Sequence, residues 1–140
     1  MRLYAWVENG LLFTTEDKNL APANAIELEV ASFDDVIYDG TQIRLKTEEE
    51  KLTEEKQKKL EELKRYVATL LSQTDHVVIR IAEALGDTDE VERLKQKYAK
   101  QLQQRQAIRR WNEQMKQAIR NAKTLEELRS IIIDFQLLII

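Results

Sequence analysis

The single histidine and its acidic neighbour come closest to a catalytic pair in this sequence. Asp75 directly precedes His76, and a carboxylate beside an imidazole can orient a general base. A metal site would need more nitrogen or sulfur ligands, but the chain has one histidine and no cysteine. No nucleophile is identifiable near the pair, and an isolated histidine fills many structural roles. We therefore expect no catalytic residue, metal or cofactor, and keep a small enzyme using Asp75 and His76 as a minor alternative.

Two groups of charged residues suggest other kinds of site. The acidic residues between positions 48 and 62 alternate with lysines, so their charges neutralise one another along a solvated helix face. The one basic group with an aromatic member is Arg105, Arg109, Arg110 and Trp111. RNA contact is one interpretation of this group, and a core position for Trp111 is the favoured one. The sequence contains no glycine-rich phosphate-binding loop, so we expect no nucleotide hydrolysis.

The composition limits the class of protein. The 140 residues suit one domain, or a small module with a helical extension. Charged residues make up 34% of the chain, with three glycines and one proline, which favours long exposed helices. The net charge of −3, with both signs mixed, argues against a nucleic-acid partner. The first ten residues are unlike a signal peptide, and no apolar stretch approaches the roughly 20 residues of a membrane span, so we expect a soluble intracellular protein.

Short apolar runs and turn residues occupy positions 1–46. Two such runs flank Asn9 and Gly10, a dipeptide that suits a tight type I′ hairpin turn. Residues 25–30 alternate apolar and acidic side chains, as in a strand with one exposed face. Two further runs, at 36–38 and 43–45, flank Asp39 and Gly40. This module is predicted to be a small antiparallel sheet of about four strands.

A helical pattern begins at Thr47. Thr47 and Glu50 form a capping-box pattern, and no glycine or proline follows until Gly86, which predicts a helix over 48–85. Asp87 with Glu90 predicts the start of a second helix, which the short connection should fold back antiparallel on the first. A third capping box begins at Thr124 and predicts a short helix ending near residue 130.

Apolar residues three and four positions apart mark the faces on which the two long helices should pack. Thr74 is the polar member of this repeat, and the rhythm weakens around Gln101 and Arg105, where we expect loose or shared pairing. The residues predicted to carry the packing are Leu60, Leu63, Val67, Leu70, Val77 and Ile81 in the first helix, with Trp111 and Met115 in the second.

The last ten residues are apolar at eight positions and rich in β-branched side chains. We predict a strand over 131–140, with Ile133, Phe135 and Leu137 as packing residues. Such a strand is costly to leave exposed. It either closes the sheet of its own chain or adds to a neighbouring subunit, and the sequence leaves both alternatives open.

A short motif within residues 63–80 (LKRYVATLLSQTDHVVIR) joins a leucine pair, a Thr-Asp pair, apolar residues and Arg80. A second helix follows after a turn and carries Tyr98, Arg109 and Trp111, and later comes the segment AKTLEEL at 122–128. These features resemble the C-terminal helical region of tail proteins of tailed bacteriophages, including tail-fibre assembly chaperones and fibre-associated proteins. The resemblance covers about residues 60–130. His76 stands where that family often has a tryptophan, and the β-rich module lies outside the resemblance.

The sequence predicts an α+β fold with three parts: a β-rich module over 1–46, an antiparallel helical hairpin plus a short helix over 47–130, and a C-terminal strand over 131–140. The resemblance implies a non-enzymatic phage tail or tail-assembly protein that contacts a tail fibre or another tail component. Such a protein would act in the host cytoplasm during assembly, or remain in the virion. A cellular coiled-coil adaptor or scaffold with no viral role is the alternative. Because a long hairpin exposes much surface, we also expect a homo-oligomer.

Overall fold

The computed structural model describes residues 1–135 and confirms the α+β fold, with small antiparallel sheets followed by helices. The chain divides into two compact units, Met1–Thr53 and Glu54–Ile140. The division falls seven residues beyond position 46, because the first helical turns belong to the β-rich unit. Lys51, for example, lies 3.9 Å from the carboxylate of Asp35.

The predicted hairpin is present at the start of the β-rich unit. Strands β1 (Arg2–Glu8) and β2 (Leu11–Thr15) pair antiparallel, and β3 (Ile26–Glu29) pairs with the other edge of β1. Asn9 and Gly10 have φ values of 52° and 76°, as a type I′ turn requires at its two central residues. The asparagine tolerates this left-handed conformation better than most residues with a side chain, and glycine tolerates it freely.

A second sheet accounts for the remaining strands. β4 (Val36–Tyr38) and β5 (Ile43–Leu45) pair only with each other, so the described module has five strands in two sheets, where one sheet of about four strands was predicted. A single 3₁₀ turn at Phe33–Asp35 separates β3 from β4 and redirects the chain. The side chain of Ser32 caps this turn by accepting from the amide of Asp34. This turn lies between the strands of the first sheet and those of the second.

The core of the β-rich unit follows from alternation along β1. Leu3 and Ala5 are fully buried, whereas Tyr4 and Trp6 lie on the opposite face of the sheet. The two buried side chains pack with Val30 and Val36. Three partly buried residues complete this small core, Leu12, Leu28 and Ile43.

Five α-helices follow within the described residues, where two long helices and one short helix were predicted. The chain leaves helical conformation near Thr74 and again at Tyr98. The helices are α1 (Glu48–Ser72), α2 (Asp75–Glu83), α3 (Thr88–Lys97), α4 (Ala99–Asn121) and α5 (Leu125–Ser130). Contacts between α1 and α4 run in opposite directions along the two helices, as in the predicted hairpin: Lys56 contacts the carbonyl of Arg120, and Tyr66 contacts Trp111.

Side-chain hydrogen bonds cap the three helix N-termini that were predicted from the sequence. The Glu50 carboxylate accepts from the amide of Thr47 at 3.1 Å, and the Thr47 hydroxyl accepts from the amide of Glu50 at 3.2 Å, which is the predicted capping box. Asp87 accepts from the amide of Glu90 at the start of α3. Thr124 accepts from the amide of Glu127 at the start of α5, which ends at Ser130 as predicted.

The C-terminal segment is described only as far as Phe135. Residues 131–135 form neither helix nor strand, so the prediction of a strand is wrong for these five residues. The remainder of the predicted strand, including Leu137, lies outside the described residues. Phe135 donates its backbone N–H to the hydroxyl of Tyr66 over 3.1 Å, so this segment packs against α1.

Candidate interaction site

The break between α1 and α2 is held by an arginine from α4. Arg105 is 7% exposed, and its Nη1 donates to the carbonyl of Leu71 (2.8 Å), the hydroxyl of Thr74 (2.9 Å) and the carboxylate of Asp75 (3.0 Å). Leu71 lies at the end of α1, Thr74 lies in the break, and Asp75 is the first residue of α2. A single guanidinium therefore fixes the junction of the two helices.

The break leaves a carbonyl for Arg105 to satisfy. In an uninterrupted helix, the carbonyl of Leu71 would accept from the amide of Asp75, four residues later. Here it accepts instead from the amide of Thr74 at 3.1 Å, the bond of a tighter turn, and from Arg105. The positive guanidinium also lies where the negative end of the α1 dipole favours a cation. This is why a polar residue is stable at a seam position.

Arg105 interrupts the apolar rhythm of the second helix, at a place where loose or shared pairing was predicted. The structure buries Arg105, and its guanidinium has three acceptors. A signal was present, because Thr74 is the polar member of the seam on the first helix and Arg105 interrupts the seam on the second. In an antiparallel hairpin, two polar seam residues that face each other form a buried hydrogen bond.

The helix that follows the break exposes an apolar surface. Val77 faces inward and is fully buried, while Val78 and Ile79 are 42% and 57% exposed. Ala82 is also exposed, and Leu85, in the turn after α2, is 72% exposed. Val78 and Ala82 lie one turn apart on the same side of α2, and Leu85 follows at i+7, just beyond the end of the helix. We call these four residues, Val78, Ile79, Ala82 and Leu85, the α2 patch.

The Asp75 and His76 side chains point to different partners. Asp75 accepts from Arg105, and no hydrogen bond joins the two side chains in the described part of the chain. The exposed His76 lies edge-on to Tyr98, with ring centres 6.1 Å apart. Tyr98 also accepts a long hydrogen bond from Arg80 at 3.4 Å, so the histidine belongs to the contact between α2 and the α3–α4 junction.

Trp111 occupies an aromatic cluster. Its ring centre lies 5.7 Å from that of Tyr66 and 5.4 Å from that of Phe135, both in tilted arrangements. These are favourable aromatic geometries, so Trp111 packs between α1 and the C-terminal segment. Among the basic residues grouped with it by sequence, Arg105 is buried, whereas Arg109 and Arg110 are exposed.

The other predicted packing residues differ in how deeply they are buried. Leu63, Val67 and Val77 are buried. Five more are half-buried, Leu60, Leu70, Ile81, Met115 and Ile133. The predicted packing residues of α1 and α2 therefore include the most deeply buried positions, with half-buried residues beside them.

The β-rich unit contains a cluster of charged side chains around Arg44. Arg44 on β5 donates to Glu50 at 2.6 Å and to Asp39 at 3.0 Å. Its guanidinium, with the amide and hydroxyl of Thr47, lowers the pKa of Glu50 to about 2. The pKa of Asp39 is also lowered, mainly because the carboxylate accepts from the amides of Gln42 and Thr41. This cluster ties β5 to the start of α1.

Residues 1–135 show neither a metal-binding cluster nor a helix suited to a membrane. Within residues 1–135, no three acidic, histidine or cysteine side chains are grouped so as to hold a metal ion. None of the helices described above combines the length and the apolar character needed to cross a bilayer. Comparisons with protein-family models, curated proteins and solved structures give no significant match to this chain.

Proposed function

We propose that this chain is a non-enzymatic tail protein or tail-assembly, chaperone-like protein of a tailed bacteriophage. It acts through protein–protein contacts with a tail fibre or another tail component, and with further copies of itself. Its place of action is the host cytoplasm during assembly, or the virion. The resemblance of residues 60–130 to phage tail proteins supports the viral assignment.

The observation that supports a protein-binding function is the different exposure of polar and apolar residues within positions 74–80. The polar Thr74 and Asp75 are bonded to Arg105, whereas the apolar Val78 and Ile79 are exposed. A reactive site needs its polar groups available to a substrate. Here Thr74 and Asp75 are bonded to Arg105, and the neighbouring Val78 and Ile79 expose apolar side chains, an arrangement that suits a contact with another protein.

The α2 patch is the surface that we assign to the tail partner. A helix that offers apolar side chains at i, i+4 and i+7 can lie in an apolar groove of another protein. Arg105 fixes the direction in which α2 leaves α1, so the patch is held in place before binding. Preorganisation of this kind reduces the entropic cost of association.

The test is reconstitution with defined partners. The chain is co-expressed with each tail-fibre or tail protein encoded beside its gene, and complexes are measured by size-exclusion chromatography with light scattering. We expect a stable complex with one of them. The double substitution Val78→Lys and Ile79→Lys should abolish that complex, because two cations replace the apolar centre of the patch.

A matched control separates the patch from a general charge effect. Glu92→Lys on α3 is exposed and changes the net charge by the same amount as the double substitution. It should leave the complex intact, and circular dichroism should show all variants folded. Loss of binding in both variants would contradict the assignment to the α2 patch. A gene neighbourhood without tail genes, together with no complex, would favour the cellular adaptor.

A further inference from the structure

A cavity of about 280 Å³ lies between α1 and α4, away from the α2 patch. Its apolar wall consists of Leu60 and Val67, which are separated by two turns on α1. Both helices contribute polar residues to the remainder of the wall. We call this cavity the α1–α4 cleft.

Positive charge surrounds the α1–α4 cleft. Lys64, Lys116 and Arg120 line it, against the single carboxylate of Glu61. Lys116 lies 3.3 Å from Glu113, but neither Lys64 nor Arg120 forms a side-chain ion pair within residues 1–135. A further cation is close, because Lys56 donates to the backbone carbonyl of Arg120 over 2.8 Å. The cleft is thus locally basic in a chain whose net charge is −3.

An unpartnered acceptor accompanies this charge. Asn112 lines the cleft, and its Oδ1 is buried with no hydrogen-bond partner in the described part of the chain. The wall of the cleft therefore contains one polar atom that the described residues leave unsatisfied.

We propose that the α1–α4 cleft binds an acidic segment of a partner protein. Carboxylates of the segment pair with Lys64 and Arg120, and an apolar side chain packs on Leu60 and Val67. Charge complementarity identifies this occupant, since two unpaired cations flank an apolar wall. The surface differs from the α2 patch, and the inference holds whether or not the partner belongs to a phage tail.

The experiment uses two labelled six-residue peptides and the full-length protein. One peptide alternates leucine with glutamate, and the other alternates leucine with glutamine. Fluorescence anisotropy should show binding of the glutamate peptide only, weakening as salt rises from 50 to 500 mM. Lys64→Glu and Arg120→Glu should each weaken binding about tenfold. Lys100→Glu, an exposed residue of α4 outside the cleft, should leave it unchanged.

Several outcomes would overturn the inference. Equal binding of both peptides would show an apolar site without charge selection, and no binding of either would remove the site. A single-stranded oligonucleotide that binds more tightly than the glutamate peptide would assign the cleft to nucleic acid. If Lys64→Glu instead dissociates an oligomer of the protein, the occupant is a second copy. Circular dichroism and the α2 patch complex serve as separate controls of folding and of the proposed function.

Discussion

The guanidinium of Arg105 donates to the hydroxyl of Thr74 over 2.9 Å, across a separation of 31 residues in sequence. Thr74 interrupts the apolar seam of the first predicted helix and Arg105 interrupts that of the second, and the hydrogen bond between them satisfies both polar groups. Because Arg105 also holds the carbonyl of Leu71, the contact satisfies the end of α1 and orients α2.

Replacing Arg105 by methionine should destabilise the helical unit by about 2–3 kcal/mol, since it leaves buried acceptors without a charged donor. Urea unfolding followed by circular dichroism measures this loss. Arg109→Met, at an exposed position one turn later on the same helix, is the control and should change stability by less than about 0.5 kcal/mol. Equal losses in the two variants would show that the contacts of Arg105 contribute nothing specific.

The contact between Thr74 and Arg105 is open to a double-mutant cycle. Thr74→Val keeps the shape of the side chain but removes the hydroxyl that accepts from Arg105. We expect the two substitutions to be non-additive by about 1 kcal/mol, as neighbours within one hydrogen-bond network are. Additive losses would mean that the guanidinium is held by Leu71 and Asp75 alone.

Phe135→Ala should expose Trp111 and destabilise the helical unit by about 1–2 kcal/mol, because it removes one ring of the aromatic cluster. Tryptophan fluorescence should shift to longer wavelength. Trp6 also emits, so the measurement is made in a Trp6→Phe background. Ile132→Ala, at an exposed neighbouring position, should leave both the spectrum and the stability unchanged.

Acid should weaken the β-rich unit through Glu50. The folded-state pKa of Glu50 is lowered to about 2, below its unfolded value of about 4.3, so folding favours the carboxylate. Its contribution to stability is present above pH 4.3 and is lost as the pH falls towards 2. Glu50→Gln should therefore lower the melting temperature at pH 6 more than at pH 2.5. Glu49→Gln, one residue earlier and exposed, should show no such pH dependence.

Light scattering at micromolar concentration should show more than one copy of the chain, because the α2 patch and part of the C-terminal segment expose large apolar side chains. Deleting residues 131–140 should reduce the measured mass or lower the melting temperature. A monomer at that concentration would contradict the expected oligomer. Unchanged mass and melting after the deletion would exclude the C-terminal segment from both roles.

Local signals in the sequence determined most of the elements. The positive φ values at Asn9 and Gly10, the capping box of Thr47 and Glu50 and the helix start at Asp87 all depend on residues within four positions of one another. Turns and helix caps of this kind can be predicted from the local sequence, without knowledge of the tertiary structure. For the same reason, the strands at 36–38 and 43–45 were predicted with the correct bounds.

Tertiary contacts decided how those elements divide and which side chains are buried. The break near Thr74 is bonded by a donor from α4, because Arg105 donates to the carbonyl of Leu71 and to the hydroxyl of Thr74. The burial of Arg105, the packing of Phe135 on Trp111 and the unpartnered Oδ1 of Asn112 likewise arise only when distant segments meet. The sequence by itself therefore determined the α+β fold class and the hairpin. The position of the helix break and the surfaces beside it were set by contacts between residues far apart in the chain, whose energies a local pattern does not contain.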